Sequence, residues 1–162
     1  MIRCLRNQAF SSAGVFMFRI FAYTSSPLLV IGTHLFVYGT LRLEYDLPAA
    51  RAIRELASYD GQGLARGVLY DLGNYPGAHF DPQATSWIYG QLFRLPLQPD
   101  QLLLDLDDYE GDAYRRYLID VASWQGMLSA ISYGLIRPSS APVIASGDWY
   151  LAQTGRHKQK LS

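Results

Sequence analysis

A single cysteine, Cys4, stands in the 162 residues, which excludes an intrachain disulfide and any zinc site built on cysteines. Histidine is almost as scarce. His34, His79 and His157 are the only three, and no HxxxH or HExxH spacing joins them, so a histidine-built metal centre is not expected. The Gly-x-Ser-x-Gly elbow is missing, and with it the usual serine nucleophile. The GxxxxGK[ST] phosphate loop and the DxDxDG calcium loop are missing as well. Net charge is absent: 14 basic residues face 14 acidic ones, leaving no global field to draw in nucleic acid or an anionic membrane. No clean apolar run of the ~20 residues a bilayer demands exists either, because Arg19 and Pro27 interrupt the one candidate stretch. What is present is apolar material: 49% hydrophobic against 17% charged residues rules out disorder as the overall state, and the length suits one domain.

The beginning of the chain differs from the rest. No acidic residue precedes Glu44, whereas Arg3, Arg6, Arg19 and Arg42 all do, and 9–31 is rich in Phe, Ala, Ser and Leu. An unstructured extension is one reading, with a cytoplasmic protein; a targeting segment is the other, with an organellar one. The far end, 155–162, is polar and basic and reads as a frayed tail. Residues 1–33 are therefore expected to be an extension, 34–150 the functional domain and 151–162 a polar tail.

Within the domain, a short strand is predicted over 34–38, ending at Gly39-Thr40. A helix over 47–58 has Pro48 near its start and Ala49, Ile53, Leu56 and Ala57 at helical spacing, and Asp60-Gly61 breaks it. Strands follow over 64–72 and 87–95, separated by a Gly- and Pro-punctuated loop at 73–81. Gly67 and Gly90 sit inside these strands, where a bulge or close backbone approach is expected. A helix over 99–109 places Leu102, Leu103 and Leu106 on one face, and strands over 114–121 and 127–136 close the pattern across a turn at 123–126. An irregular coda carries Pro138, Pro142 and Trp149. The order β, α, β, β, α, β, β predicts an α+β fold: a small, mixed, strongly curled sheet or partly closed barrel with two packed helices.

Few residues offer chemistry. Tyr38-Gly39-Thr40-Leu41 brings several backbone N–H groups to a sharp turn, which makes either an anion-holding nest or an ordinary tight turn. Asp105, Asp107, Asp108, Glu110 and Asp112 crowd the end of the second helix, where negative charge opposes the helix dipole. Most of these face solvent. Glu110, between Tyr109 and Gly111, is placed to turn inward, where desolvation raises a carboxyl toward a useful acid/base pKa; capping or surface duty is the alternative. Asn74-Tyr75-Pro76-Gly77 rims a pocket or turns the chain. Arg115-Arg116 pairs with the acidic helix end or, secondarily, binds a substrate carboxylate. His79 is an ordinary loop residue before it is a base.

Four stretches in order carry a resemblance: Leu35-Phe36-Val37-Tyr38-Gly39-Thr40-Leu41-Arg42, then Gly67 through Gly77, then Leu106-Asp107-Asp108-Tyr109-Glu110-Gly111, then Tyr114-Arg115-Arg116. Together they resemble the gamma-glutamylcyclotransferase-like superfamily, in particular its AIG2-like, gamma-glutamylamine cyclotransferase-like branch, over roughly 34–150. Gly147-Asp148-Trp149 is similar to the way many members end. At 43–48 the sequence departs from the family's usual glycine-bearing continuation. The resemblance implies a barrel-like mixed sheet with a cavity between the Tyr-Gly-Thr-Leu turn and the glutamate of the Tyr-Glu-Gly motif. It implies Glu110 as acid/base, the backbone of Gly39, Thr40 and Leu41 as the glutamyl cradle, and Tyr38, Tyr75 and Tyr114 as lining. The implied reaction is attack of a γ-glutamyl amide's own α-amine on its γ-carbonyl, releasing 5-oxoproline and an amine or amino acid. That chemistry needs neither an enzyme nucleophile nor a metal or organic cofactor.

Two alternatives stand beside it: cleavage of a different glutamyl-linked metabolite on the same fold, and a non-catalytic small-molecule binding or protein-interaction module. The expected partner is a small γ-glutamyl substrate, not nucleic acid or membrane, and the chain is expected to be a monomer or weak homodimer.

Overall fold

The computed structural model describes residues 33–159. The expectations for 1–33, Thr33 apart, lie outside that range.

Strand β1 (His34–Val37) is the centre of the architecture, and its composition explains why. Successive side chains of a strand point to opposite faces. Here Leu35 and Val37 enter one apolar cluster while Phe36 and neighbouring Tyr38 enter another. A strand buried on both faces needs a continuous apolar run, which is what Leu35 to Tyr38 supplies. Helix α1 (Pro48–Leu56) opens with proline at its first turn and buries Ala50 and Ile53. Strand β2 (Ser58–Asp71) is followed by β3 (Pro76–Phe80) and β4 (Trp87–Arg94). Helix α2 (Asp100–Glu110) buries Leu102, Leu103 and Leu106. Strands β5 (Tyr114–Ser123) and β6 (Gly126–Leu135) form a hairpin, and helix α3 (Trp149–Gln159) ends the described chain.

The sheet runs β3-β2-β4-β1-β6-β5, and β2 also pairs with β5. That extra pairing, Leu64 opposite Ala122, closes five strands into a mixed barrel with β3 as an added strand. Strands β1 and β6 run parallel, Leu35 opposite Ile131; the other pairings are antiparallel. Phe36, Ile88, Leu92, Val121 and Trp149 belong to one core cluster, and Leu35, Val37, Ile53, Phe93 and the α2 leucines to a second. The expected α+β class and curled, barrel-like sheet are therefore present.

Three details differ from expectation. The loop predicted at 73–81 contains β3. Its glycine is a packing requirement: a Cβ on Gly77 would lie 2.6 Å from Leu135 Cδ1. Asp60-Gly61 does not break the chain but makes a register shift inside β2, which begins at Ser58. Finally, the coda holds a third helix among the described residues. Asp148 caps it, its carboxylate accepting from the Tyr150 amide at 2.9 Å, and Trp149 is 1% exposed. Prolines and glycines on the approach hide this signal, although Asp is a favoured capping residue. No helix among the described residues is long and apolar enough to cross a membrane.

Candidate functional site

Where β1 ends, the chain makes two consecutive turns, closed by Arg42 N–H to the Gly39 carbonyl (3.2 Å) and Tyr45 N–H to the Arg42 carbonyl (3.1 Å). The amides of Gly39, Thr40 and Leu41 donate to no hydrogen bond among the described residues. Gly39 is needed for proximity: a Cβ there would lie 2.8 Å from the Pro76 ring. The turn is thus pressed against β3 and its N–H groups remain available, which is the anatomy of an anion nest.

Across from it stands the end of α2. Gly111, at φ +68° and ψ −168°, takes a positive-φ conformation open to glycine that ends the helix, and its amide donates to the Asp107 carbonyl at 3.0 Å. This fixes Glu110 as the last helical residue. The final turn is further pinned by Arg116, which donates to Asp107 at 2.6 Å, and by Tyr133, whose hydroxyl lies 2.9 Å from the other Asp107 oxygen. Arg116 therefore pairs with the acidic helix end, the first of the two duties expected of it.

Between these walls lies a cavity of about 430 Å³. Glu110, Tyr38, Gly39, Thr40, Leu41, Tyr75 and Tyr114 all line it, so the fold gathers around one space the residues that the family resemblance implied for the site. Glu110 makes no hydrogen bond or ion pair among the described residues, and burial pushes its carboxyl up from 4.5 to about 7. Desolvation penalises the charged form, and nothing cationic offsets it.

The tyrosines divide by what their hydroxyls do. Tyr38 accepts from the Ala78 amide (3.2 Å) and donates to the Tyr133 carbonyl (2.8 Å), tying β3 to β6. Tyr114 donates to the Pro76 carbonyl at 3.0 Å. Both phenols are pushed above their ordinary value, first by burial and then by Glu110. They shape the walls and remain neutral. Tyr75, 49% exposed, sits at the mouth on the turn that Asp71 organises by accepting from the Gly73 amide.

Tyr109, Leu47 and Tyr133 also line the cavity and were not among the expected lining residues. Tyr109 adjoins Glu110 in the chain and is the one a motif-based reading had within reach. Leu47 is the N-cap residue of α1. A second cavity of about 620 Å³, bordered by Asp108, Asp112 and Arg115, shares Glu110, Tyr114 and Tyr133 with the first.

Other candidates lie elsewhere. His79 pairs opposite Val68 in β3 and does not line the cavity. His34 contacts Asp60 at 2.9 Å, away from the site. No group of three His, Cys, Asp or Glu side chains poised to hold a metal occurs among the described residues.

Comparison with known proteins adds the following. The family described as "Gamma-glutamyl cyclotransferase, AIG2-like" matches residues 35–151. Among solved structures, YkqA from Bacillus subtilis is similar with a TM-score of 0.62 at 24% identity, covering 78% of this chain but 42% of its own length. An AIG2-like protein from Mus musculus gives 0.59 at 22%, covering 72% and 88% of the two chains. An uncharacterized protein from Pyrococcus horikoshii gives 0.58 at 19%, covering 78% and 98%. At these identities the likeness concerns the fold, and the chain spans less than half of YkqA. No curated protein matches.

Proposed function

Since the chain belongs to the gamma-glutamyl cyclotransferase, AIG2-like family, we propose that it cyclises γ-glutamyl amides to 5-oxoproline with Glu110 as general acid/base. The cyclotransferase class follows from the family. The observation supporting the finer reading is the opposition, across one cavity, of an unpaired carboxyl raised to about 7 and a turn with three unengaged amides.

The chemistry runs as follows. The amides of Gly39, Thr40 and Leu41 hold the substrate's α-carboxylate, and the aromatic walls fold its chain back on itself. Glu110 accepts a proton from the α-ammonium, and the freed amine attacks the γ-carbonyl carbon to form the five-membered lactam. As the amide C–N bond breaks, Glu110 returns that proton to the departing nitrogen and takes up the second proton from the ring nitrogen, which the released amine finally carries away as ammonium. One C–N bond forms, one breaks, and no water is consumed. The nucleophile is intramolecular, so selecting a curled conformer supplies much of the rate, and well-oriented intramolecular attack reaches effective molarities of roughly 10⁵ M and above. A carboxyl near 7 is half ionised at neutral pH, which suits a group that must both take and give the same proton.

The test is release of 5-oxoproline, followed by mass spectrometry, from γ-glutamyl amino acids, γ-glutamyl-ε-lysine and glutathione, with Glu110→Gln alongside. Turnover lost in a folded variant supports the assignment. Retention of ligand without release by the parent protein favours a binding module instead.

A further inference from the structure

Behind the amide cradle lies a buried ionic cluster that the proposed chemistry does not use. The Arg42 side chain is 6% exposed. Its guanidinium donates to Glu44 through Nε (3.3 Å) and Nη2 (2.9 Å), and to Asp148 Oδ1 through Nη1 (2.9 Å). Gln91 of β4 completes the arrangement: its amide nitrogen donates to both Glu44 oxygens (3.2 and 3.1 Å) and its oxygen accepts from the Leu43 amide (2.8 Å). Asp148 simultaneously caps α3, and the Tyr150 ring lies 5.7 Å from the guanidinium.

We infer that Arg42 is the positioning residue of the cradle, holding the amides of Gly39, Thr40 and Leu41 in their anion-accepting shape by fastening the following segment to β4 and α3. This rests on the proposal that those amides take the substrate carboxylate. A turn whose N–H groups point at a ligand cannot use those groups to stabilise its own shape, so the constraint must come from its flanks. The upstream flank is β1. The downstream flank has Arg42 as its first residue, and the fork from one guanidinium to two carboxylates fixes direction as well as distance. Glu44 thereby acquires a task. The pair closes the clamp on the cradle side while Asp148 anchors it to the last helix.

The experiment uses the full chain and compares Arg42→Met, Arg42→Lys and Glu44→Gln by steady-state 5-oxoproline release. Arg42→Met raises KM about tenfold, with kcat within about threefold of the parent and the same pH midpoint, because ground-state binding is lost while Glu110 is untouched. Arg42→Lys, with a point charge in place of a fork, falls between. Glu44→Gln keeps the size of the side chain but replaces one acceptor oxygen by a donor amide facing Arg42 and Gln91; it raises KM about threefold, and it decides the matter if Arg42→Met does not fold. A merely structural role lowers kcat through a smaller active fraction and leaves KM alone; that result, or KM within twofold of the parent in both folded variants, overturns the inference.

A titration with 5-oxoproline, read on the backbone amide resonances of residues 39–41, separates the two layers. No shift in the parent overturns the cradle and the clamp together. A shift in the parent with undiminished affinity in the variants overturns the clamp alone.

Discussion

The Thr40 hydroxyl lies 3.3 Å from the Tyr109 hydroxyl, joining the turn that follows β1 to the helix that ends at Glu110. The free amides of Gly39 to Leu41 and the Glu110 carboxyl come from segments about 70 residues apart, and this contact registers one against the other beside the cavity. Tyr109→Phe removes the link and keeps the ring. Loss of a partly exposed hydrogen bond corresponds to about 1 kcal/mol, so kcat/KM is expected to fall roughly fivefold with the fold unchanged by circular dichroism.

The pH dependence of activity follows from the burial of Glu110. Its carboxyl is raised to about 7, and the ionised form starts the reaction, so kcat/KM rises with pH through a midpoint near 7 and levels off above it. A midpoint near the ordinary 4.5 shows that the group in control is another or a solvated one.

Stability moves the opposite way. The folded protein favours protonated Glu110, so the stability it contributes is full below about 4.5 and is lost as pH rises to about 7. Glu110→Gln lacks that dependence. A shift of this size corresponds to on the order of 3 kcal/mol, so the variant is more stable than the parent at pH 8 by up to that amount and similar at pH 4, in denaturant titrations. An inactive variant of higher stability is the mark of a functional residue held in an unfavourable place.

Gly39→Ala tests the shape of the cradle. The added methyl meets the Pro76 ring at 2.8 Å, and neither the turn nor the start of β3 is a flexible side-chain end that simply moves aside. Substrate affinity is expected to fall by about tenfold or more, a loss near 1.4 kcal/mol, in a protein that remains folded.

Trp149→Ala probes the third helix. The indole is almost fully buried in the cluster that holds Phe36 and Ile88, and large-to-small changes of this kind cost about 3–5 kcal/mol. A chemical-denaturation midpoint unchanged by the substitution contradicts the packing of α3 described above.

Much of the site was legible because its parts are local. Tyr38 to Leu41 is one turn, Tyr109 to Gly111 is one helix end, and each announces itself by a strand or helix stopping at glycine. That they share a cavity came from the family resemblance, since composition and periodicity carry no information on which turn faces which helix. The missed elements failed for identifiable reasons. Strand β3 contains Pro76 and Gly77, which local propensity reads as turn, while the contact between Gly77 and Leu135 is long-range. The full length of β2 is masked by Asp60-Gly61, whose irregularity the sheet absorbs in its register. Arg42 looked like one more basic residue of an acid-free stretch. Its burial goes with Asp148, which pairs with it directly, and with Gln91, which holds the neighbouring Leu43 and Glu44; both lie far along the chain.

The central claim is that the substrate's own amine, and not water, cleaves the γ-glutamyl amide. Turnover of a γ-glutamyl amide in ¹⁸O-labelled water, with both products analysed by mass spectrometry, tests it most directly. The account predicts unlabelled 5-oxoproline in equal amount with the released amine, and neither product from Glu110→Gln. Glutamate carrying one ¹⁸O, with Glu110→Gln equally active, contradicts it.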